Sequence, residues 1–413
     1  MYGIGIRLYA LVLWCAQWFV PKAKSWIEGR RDFFSHLPKM EKGRKVYWFH
    51  CASLGEFDQG LPLMNRLKEQ DPSLFLYVTF FSPSGYEHYH KRKHKVDFVS
   101  YLPVDLKKNA KRLIRHFHPE KVFFIKYEFW KNYIKEAKKS GADVYSVSAI
   151  FRKNHRFFHP VYGKFFQGVL QQINFFFVQN STSGDLLKSI GIDNVIVTGD
   201  TRFDRVIENR NQAEEDHCLS TFTRGKKVFI AGSTWPEDEK IIAEYINQEE
   251  ERTPLIIAPH DISEAHLQQI ESRFGMEKIF RYTHWNVGDV FPSACSILLV
   301  DCIGKLSNAY RYGRYAYVGG GFSGSLHNIL EPAVFGLPVV FGPHHKRFPE
   351  AQQFMDAGVG FSVKDETQLR TAIDIILSDE AMLKQKVARL VEESAGATEK
   401  IIACLKEQPK IRN

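Results

Sequence analysis

Residues 317–332 read YVGGGFSGSLHNILEP, in which an apolar run leads through glycines into the start of a helix. Such a loop presents backbone N–H groups and the positive end of a helix dipole to a phosphate. Asn328 suits the cap of this helix, Pro332 its first turn and Gly336 its end. Glu331 lies one turn in, where its carboxylate can accept hydrogen bonds from ribose hydroxyls. The stretch predicts a nucleotide site in an α/β domain, and the alternative is a tight structural turn.

Short apolar runs rich in Val, Ile, Phe and Tyr recur on both sides of this stretch, separated by longer segments with helical spacing. Continuous apolar runs joined by helices indicate parallel strands that are covered on both faces. The runs are VYWFHCAS (46–53), LFLYVTFF (74–81), KVFFIKY (121–127), DVYSVSAI (143–150), NFFFVQN (174–180), NVIVTG (194–199), KVFIAGS (227–233), PLIIAP (254–259), SILLVD (296–301), YAYVGG (315–320) and LPVVFG (337–342).

The polar stretch 208–225 divides these runs into two sets, and a chain of 413 residues suits two domains better than one. We therefore predict an α/β chain of two doubly wound, Rossmann-like domains, over residues 26–208 and 209–390. Residues 391–413 are predicted as a C-terminal helix, and its return to the first domain is one option. Because ligands bind beyond the carboxyl ends of parallel strands, we expect the two domains to face each other across a cleft.

Composition and charge narrow the function classes. Hydrophobic residues make up 44% and charged residues 25%, which is typical of a globular protein. The net charge of +9 favours an anionic partner, and the absence of RRM, KH, helix-turn-helix and zinc signatures argues against nucleic acid. The six cysteines form no CxxC pair, so we expect a reducing compartment and no metal site. For the histidines at 88, 90 and 94, a solvated basic loop is favoured over a metal.

The amino terminus carries an apolar run, IGIRLYALVLWCAQWFV (4–20), followed by four basic residues between positions 22 and 31. A membrane-spanning helix needs at least about 17 apolar residues, so the run fits a span or a helix lying on the membrane. Tryptophans suit the headgroup zone, and they stand at Trp14, Trp18 and Trp26. A buried first helix is the alternative. We predict a membrane anchor over residues 1–25, with the remainder of the chain on the cytoplasmic side.

Polar residues and glycines follow the ends of many runs, where a ligand would bind. Among them, Glu56 follows the first run within a glycine turn, and it suits either a general base or a helix-capping acid. No GxxxxGK[ST] or GxGxxG pattern is present, which argues against ATP hydrolysis and hydride transfer.

Several motifs occur in a fixed order along nearly the whole chain. They are WIEGR (26–30), ASLGE (52–56), YEFW (127–130), VTGDTRFD (197–204), AGSTWPEDE (231–239), APH (258–260), VDCIGKL (300–306) and HNILEPAVFGLPVVFGPH (327–344). In these motifs the chain resembles the 3-deoxy-D-manno-octulosonic acid (Kdo) transferases, glycosyltransferase family 30, which have the GT-B fold.

The resemblance implies an inverting, metal-independent transfer of Kdo from CMP-Kdo to the lipid A precursor lipid IVA, in lipopolysaccharide biosynthesis at the anionic inner-membrane surface. It implies no cofactor and no nucleic-acid partner. Glu56 would be the catalytic base. The donor-binding residues would be Arg202, Ser233, Thr234, His260, Gly304, Asn328 and Glu331. The acceptor-binding residues would be Ser53, Gly55, Glu128 and Arg152.

The chain departs from the family pattern at three charged positions. Arg202 stands where a lysine is usual, Pro259-His260 replaces an Arg-His pair, and Lys305 replaces a carboxylate. Two other functions stay open. One is a GT-B transferase that uses a UDP-sugar, and the other is a basic membrane- or nucleic-acid-binding module, which would leave the glycine loops unexplained.

Overall fold

The computed structural model describes residues 2–248 and 254–407. The chain divides into two compact units, of which the second is Val206–Glu393. The first runs to Arg205 and also includes the segment that begins at Ser394. Each unit is built on one parallel sheet, so the predicted two-domain α/β class is confirmed.

The strands are short and mostly buried. In the first unit they are β1 (Val46–Cys51), β2 (Phe75–Phe80), β3 (Phe98–Tyr101), β4 (Lys121–Ile125), β5 (Asp143–Ala149), β6 (Phe175–Val178) and β7 (Val195–Val197). In the second they are β8 (Val228–Thr234), β9 (Leu255–Pro259), β10 (Ile279–Arg281), β11 (Ile297–Leu299), β12 (Gly313–Val318), β13 (Val339–Phe341) and β14 (Gly360–Ser362).

Helices connect the strands. The α-helices are α1 (Tyr2–Ala16), α2 (Pro21–Glu28), α3 (Leu54–Gln70), α4 (Pro83–His88), α5 (Lys107–Phe117), α6 (Lys131–Lys139), α7 (Gly163–Leu170), α8 (Ser181–Lys188), α9 (Thr201–Asn211), α10 (His217–Thr223), α11 (Pro236–Gln248), α12 (Glu264–Phe274), α13 (Leu306–Ala309), α14 (Leu330–Ala333), α15 (Pro349–Asp356), α16 (Glu366–Ser378), α17 (Glu380–Ser394) and α18 (Ala397–Glu407). Short 3-10 helices lie at Phe33–Ser35, Tyr89–Lys91, Arg156–Phe158, Met276–Lys278, Tyr282–His284 and Tyr310–Tyr312.

In the first unit the strand order is β3-β2-β1-β4-β5-β6-β7 and every pairing is parallel. β1 is buried along its whole length, as a strand covered on both faces should be. Its alternate residues enter two separate cores, with Trp48 on one face and Phe49 on the other. Helix α18 completes the second of these cores through Ile401, Ile402 and Leu405.

In the second unit the order is β10-β11-β9-β8-β12-β13-β14, again with parallel pairings. The central strands β8 and β9 supply Ile230 and Ile256 to a core that also takes in Leu298 of β11. This order, like that of the first sheet, is that of a doubly wound fold.

The amino-terminal apolar run is not one helix, because α1 ends at Ala16 and α2 begins at Pro21, a residue suited to a first turn. Among the described residues no single helix has the length and apolarity to cross a membrane; only α1 and α2 together do, and they are bent by 119° at their break. α1 has no buried residue, so a buried first helix is not what forms.

Helix α1 is nevertheless attached to the first unit. The Tyr2 hydroxyl donates a hydrogen bond to the buried Asp105 carboxylate at 2.5 Å, and the Tyr9 ring stacks on Phe81 with centroids 6.2 Å apart. Next to them, the Arg30 guanidinium donates to the carbonyls of Trp26, Phe81 and Leu102. The outer face of α1 stays exposed, with Ile4, Leu8, Leu11 and Val12 each more than half accessible to solvent.

Candidate active site

The first sheet reverses its winding at β1. From β1 the chain moves to β2 and then β3 on one side, and it resumes with β4 on the other side of β1. In open α/β sheets ligands bind where the winding reverses, at the carboxyl ends of the strands, and this place is called the switch point. Glu56 follows β1 and Glu128 follows β4, so the structure brings these two predicted residues to the switch point. Arg152 follows the next strand, β5, and is exposed.

Glu56 is the third residue of α3, after the N-cap Ser53 and the small Gly55. Its carboxylate accepts a hydrogen bond from the Ala52 N–H, as an acid at this position does for a free donor at a helix start. The side chain is only 7% exposed. Burial raises its pKa to about 7; the Ala52 N–H opposes the rise, Glu128 adds to it and Lys126 opposes it. Glu56 is therefore a capping acid whose pKa also suits a general base at neutral pH.

A buried histidine supports the segment that carries Glu128. The Trp130 indole N–H donates to Nε2 of His50 at 2.9 Å, so the imidazole proton is on Nδ1, which lies 3.0 Å from Thr79 Oγ1. Burial lowers the pKa of His50 and keeps it neutral. Glu128 Oε2 lies 4.0 Å from Nε2 and is a buried oxygen without a hydrogen-bond partner in the described structure. The sequence signal for His50 was a single titratable residue within an apolar strand.

Arg202 lies in the first unit, at the start of α9. Its guanidinium donates to the Asp200 carboxylate through Nε at 2.8 Å, and Nη2 is 2.7 Å from the same oxygen. Burial alone would raise the pKa of Asp200, but the Arg202 charge and hydrogen bonds outweigh it and the pKa is lowered. The arginine that replaces the expected lysine is therefore held by a carboxylate two residues away.

The second sheet reverses at β8, which lies between β9 and β12. Ser233 and Thr234 end β8, His260 follows β9, and the glycine loop 319–321 follows β12. Ser233 has a left-handed backbone with φ 53°, which is uncommon outside glycine and occurs often at functional sites. The predicted donor-binding residues of β8, β9 and β12 thus share one switch point.

The glycines after β12 are required for packing. A Cβ on Gly319 would lie 2.2 Å from the Ser233 carbonyl oxygen, and one on Gly321 would lie 2.4 Å from the Gly342 nitrogen. The Gly319 N–H donates to Gly232 O at 2.9 Å, and the Gly320 N–H donates to Asp238 at 2.9 Å. The prediction that this loop presents unpaired N–H groups to a phosphate is therefore wrong for Gly319 and Gly320, because these two N–H groups are hydrogen-bonded to β8 and α11.

Asp238, which the sequence reasoning did not select, joins the two loops of this switch point. One carboxylate oxygen accepts from the Trp235 N–H at 3.0 Å and the Gly320 N–H at 2.9 Å, and the other accepts from the Tyr317 hydroxyl at 2.8 Å. Glu239 beside it accepts from Thr234 Oγ1 at 3.1 Å. The signal available in the sequence was the acid-rich first turn PEDE directly after a strand.

Asn328 and Glu331 lie next to each other at the start of α14, but the N-cap of this helix is Ile329 and not the predicted Asn328. Asn328 Oδ1 accepts from the Leu330 N–H at 3.2 Å, and its Nδ2 donates to Glu331 Oε1 at 3.3 Å. Gly304 lies in the exposed loop after β11 with φ 95°. Lys305 beside it donates to Asp216 at 2.9 Å, and hydrogen bonds with Tyr282 and Asp216 raise its pKa. Within residues 2–248 and 254–407, no group of three or more His, Cys, Asp or Glu is placed to hold a metal ion.

Comparison with known proteins finds relatives over most of the chain. Residues 27–205 match the family model described as 3-deoxy-D-manno-octulosonic-acid transferase (kdotransferase). The 3-deoxy-D-manno-octulosonic acid transferase of Chlamydophila psittaci is 26% identical, over 87% of this chain and 84% of its own. That of Aquifex aeolicus is 27% identical, over 82% of this chain and 87% of its own.

Solved structures with low sequence identity show the same fold. The UDP-GlcNAc 2-epimerase of Neisseria meningitidis aligns with a TM-score of 0.63 and 14% identity, over 88% of this chain and 99% of its own. The calicheamicin glycosyltransferase aligns with a TM-score of 0.56 and 11% identity, over 89% of this chain and 99% of its own. The fold is thus of the GT-B type. The first unit matches the Kdo transferase family model over residues 27–205, and most of the chain is similar to the Kdo transferases, glycosyltransferase family 30.

Proposed function

We propose that this chain transfers Kdo from CMP-Kdo to a lipid A precursor in lipopolysaccharide biosynthesis. Similarity to the Kdo transferases supports the identity of the transferred sugar. The observation that carries the mechanism is Glu56, a buried carboxyl with a pKa of about 7 at the switch point of the first sheet. A carboxyl with this pKa accepts a proton at neutral pH and is a stronger base than an ordinary glutamate.

The donor occupies the switch point of the second sheet. In this proposal CMP-Kdo is bound by Ser233, Thr234, His260, Gly304, Asn328 and Glu331, and Arg202 contributes a positive charge to the departing phosphate. The Asn328 amide and the Glu331 carboxylate, already hydrogen-bonded to each other, suit the ribose hydroxyls. CMP leaves as a stable anion, so the step needs charge stabilisation and no proton from an acid.

The acceptor is held on the first unit. Ser53, Gly55, Glu128 and Arg152 lie after β1, β4 and β5, on the same edge of the sheet as Glu56. Glu56 takes the proton from an acceptor hydroxyl as its oxygen bonds to the anomeric carbon and the bond to the CMP phosphate breaks. A single displacement of this kind inverts the anomeric configuration.

The test of this function is the product. The purified chain, CMP-Kdo and tetra-acylated lipid A precursor are expected to give CMP and a lipid heavier by one or more Kdo units by mass spectrometry, with the anomeric centre inverted by NMR. CMP is expected to bind more tightly than UDP in calorimetry. Tighter UDP binding, or no Kdo in the lipid fraction, would contradict the proposal and favour a UDP-sugar transferase.

We further propose that α1 and α2 hold the chain on the cytoplasmic face of the inner membrane, lying on the surface. The exposed apolar face of α1, which includes Trp14, suits insertion into the headgroup boundary together with Trp18 and Phe19 after the helix. The exposed basic residues Lys22, Lys24 and Arg31 suit anionic lipid. The hydrogen bond from Tyr2 to Asp105 ties the beginning of α1 to the protein, which favours a surface helix over a span.

Replacing Leu8 and Leu11 together by Glu is expected to weaken sedimentation with phosphatidylglycerol vesicles by at least about 10-fold, because full burial of each leucine contributes about 1.5–3 kcal/mol. CMP binding should not change. Ile375→Glu, at an exposed apolar residue of α16, is the matched control and should sediment like the wild type. Equal sedimentation of the double variant would refute a role of α1 in attachment.

A further inference from the structure

Three aromatic side chains from three different loops form one cluster at the switch point of the second unit. The Trp235 indole stacks on the His260 imidazole with centroids 4.5 Å apart and planes 21° from parallel. His260 in turn contacts His327, with centroids 4.7 Å apart. Trp235 follows β8, His260 follows β9 and His327 belongs to the loop after β12. The cluster therefore joins the same loops that carry the proposed donor site.

The hydrogen bond within the cluster fixes the tautomer of His327. The Trp235 Nε1–H lies 3.3 Å from His327 Nε2. An indole nitrogen can only donate, so Nε2 must present its lone pair, and the proton of the neutral ring is on Nδ1. Burial, together with a smaller effect of the neighbouring His260, lowers the pKa of His327 to about 4, so the ring is neutral at physiological pH.

This arrangement leaves one donor unused. No group within the described ranges 2–248 and 254–407 accepts a hydrogen bond from Nδ1 of His327, and this atom is not fully buried in the half-buried side chain. The backbone around it is fixed, because the His327 N–H donates to Gly319 O at 3.1 Å and the Trp235 N–H donates to Asp238 at 3.0 Å. A fixed N–H that has no acceptor within the described ranges and lies next to Asn328 suits an anionic oxygen.

We propose that His327 binds an oxyanion of the sugar nucleotide through Nδ1–H, and that Trp235 is a positioning residue that holds the ring in the required tautomer. The oxyanion is either the phosphate or the sugar carboxylate. The proposal rests on the proposed donor. A neutral donor of this kind takes over part of the anion binding next to Pro259, which stands where the family pattern has an arginine.

Two substitutions separate the two nitrogens. In His327→Asn the side-chain amide reaches the place of Nδ1 and keeps a donor to the ligand, whereas in His327→Gln it reaches the place of Nε2 and keeps only the contact with Trp235. We expect Gln to weaken CMP-Kdo binding about 10- to 100-fold, as for loss of a hydrogen bond to a charged group, and Asn to weaken it less. Any other order would overturn the proposal. His284→Gln, at an exposed histidine of the same unit, is the control.

Titrations with cytidine, CMP and CMP-Kdo identify the oxyanion. A loss with CMP that is absent with cytidine assigns the phosphate, and a loss with CMP-Kdo alone assigns the carboxylate. An equal loss with all three would show that the residue contacts the nucleoside and would refute an oxyanion role. If the wild type binds neither CMP nor CMP-Kdo, the proposed donor itself is wrong; if it binds them and His327→Gln binds equally, only the present inference fails.

The tautomer of His327 tests the role of Trp235, because a residue that only packed against the ring would not change which nitrogen carries the proton. Nitrogen-15 NMR of histidine-labelled full chain at pH 7 should show His327 as the Nδ1–H tautomer, and Trp235→Phe, which keeps a ring but has no N–H, should shift it toward Nε2–H. The same variant should weaken CMP-Kdo binding by about 3- to 10-fold, the effect of one neutral hydrogen bond. An Nε2–H tautomer in the wild type would overturn the proposal without any variant.

Discussion

Glu56→Gln is expected to lower the rate of Kdo transfer by about 10²–10⁴-fold, the usual contribution of a general base, while CMP-Kdo binding stays near that of the wild type. The amide oxygen of Gln can still accept the hydrogen bond from the Ala52 N–H, so the start of α3 is preserved and only the proton acceptor is lost. Single-turnover transfer rates and calorimetric CMP titration together measure the two properties.

The pH profile supplies a second readout of the same residue. Burial raises the pKa of Glu56 to about 7, and the base must be unprotonated to act. Transfer by the wild type should therefore rise with pH through about 7 and then level off, and the residual rate of Glu56→Gln should lack this rise. Asp58→Asn, two residues further along the same helix and paired with Arg92, should behave as the wild type. Ordinary turnover by Glu56→Gln would refute the assignment of the base.

Asp238→Ala is expected to destabilise the second unit by about 3–5 kcal/mol and to abolish detectable CMP binding. It leaves the buried Gly320 N–H, the buried Tyr317 hydroxyl and the partly buried Trp235 N–H without their acceptor, and each buried group of this kind costs about 1–3 kcal/mol. Urea unfolding of the full chain, followed by tryptophan fluorescence, measures the change.

Asp238→Asn tests whether the lost hydrogen bonds cause the destabilisation expected for Asp238→Ala. Its amide oxygen can accept from both backbone N–H groups, and its amide nitrogen can donate to the Tyr317 oxygen, so we expect a loss of less than half that of Ala. Glu237→Gln changes an exposed acid in the same turn and should stay within about 0.5 kcal/mol of the wild type. Equal stability of the Ala variant and the wild type would show that Asp238 does not brace the two loops.

The sequence predicted the central strands of both sheets and missed β3, β10 and β14. These three are edge strands, each paired on one side only. They are short, and β10 is only partly buried, so they lack the continuous apolar run that marks a strand covered on both faces. The central strands were found because burial on both faces leaves that pattern in the residues themselves.

The residues of the candidate site also fall into those that the sequence predicted and those that it missed. Glu56, Glu128, Thr234 and Asn328 were selected because each follows a strand, and the structure places them at the two switch points. Asp238 and His50 were missed because their importance depends on partners distant in the chain, Gly320 and Trp130. The glycine loop was predicted to receive phosphate, whereas Gly319 is needed because a Cβ would collide with the Ser233 backbone. Spacing along a sequence does not reveal such contacts.

Helix α18 determines the order in which the chain can fold during synthesis. The Asp204 carboxylate accepts the N–H groups of Gly396 and Thr398 at 2.7 Å, and Ile401 and Leu405 fill a core of the first unit. At about 5–20 residues per second, the ribosome makes these residues roughly 10–40 s after Arg205. The nascent amino-terminal half therefore exposes an unfilled apolar face while the second unit emerges and folds, and this interval is when a chaperone would be needed.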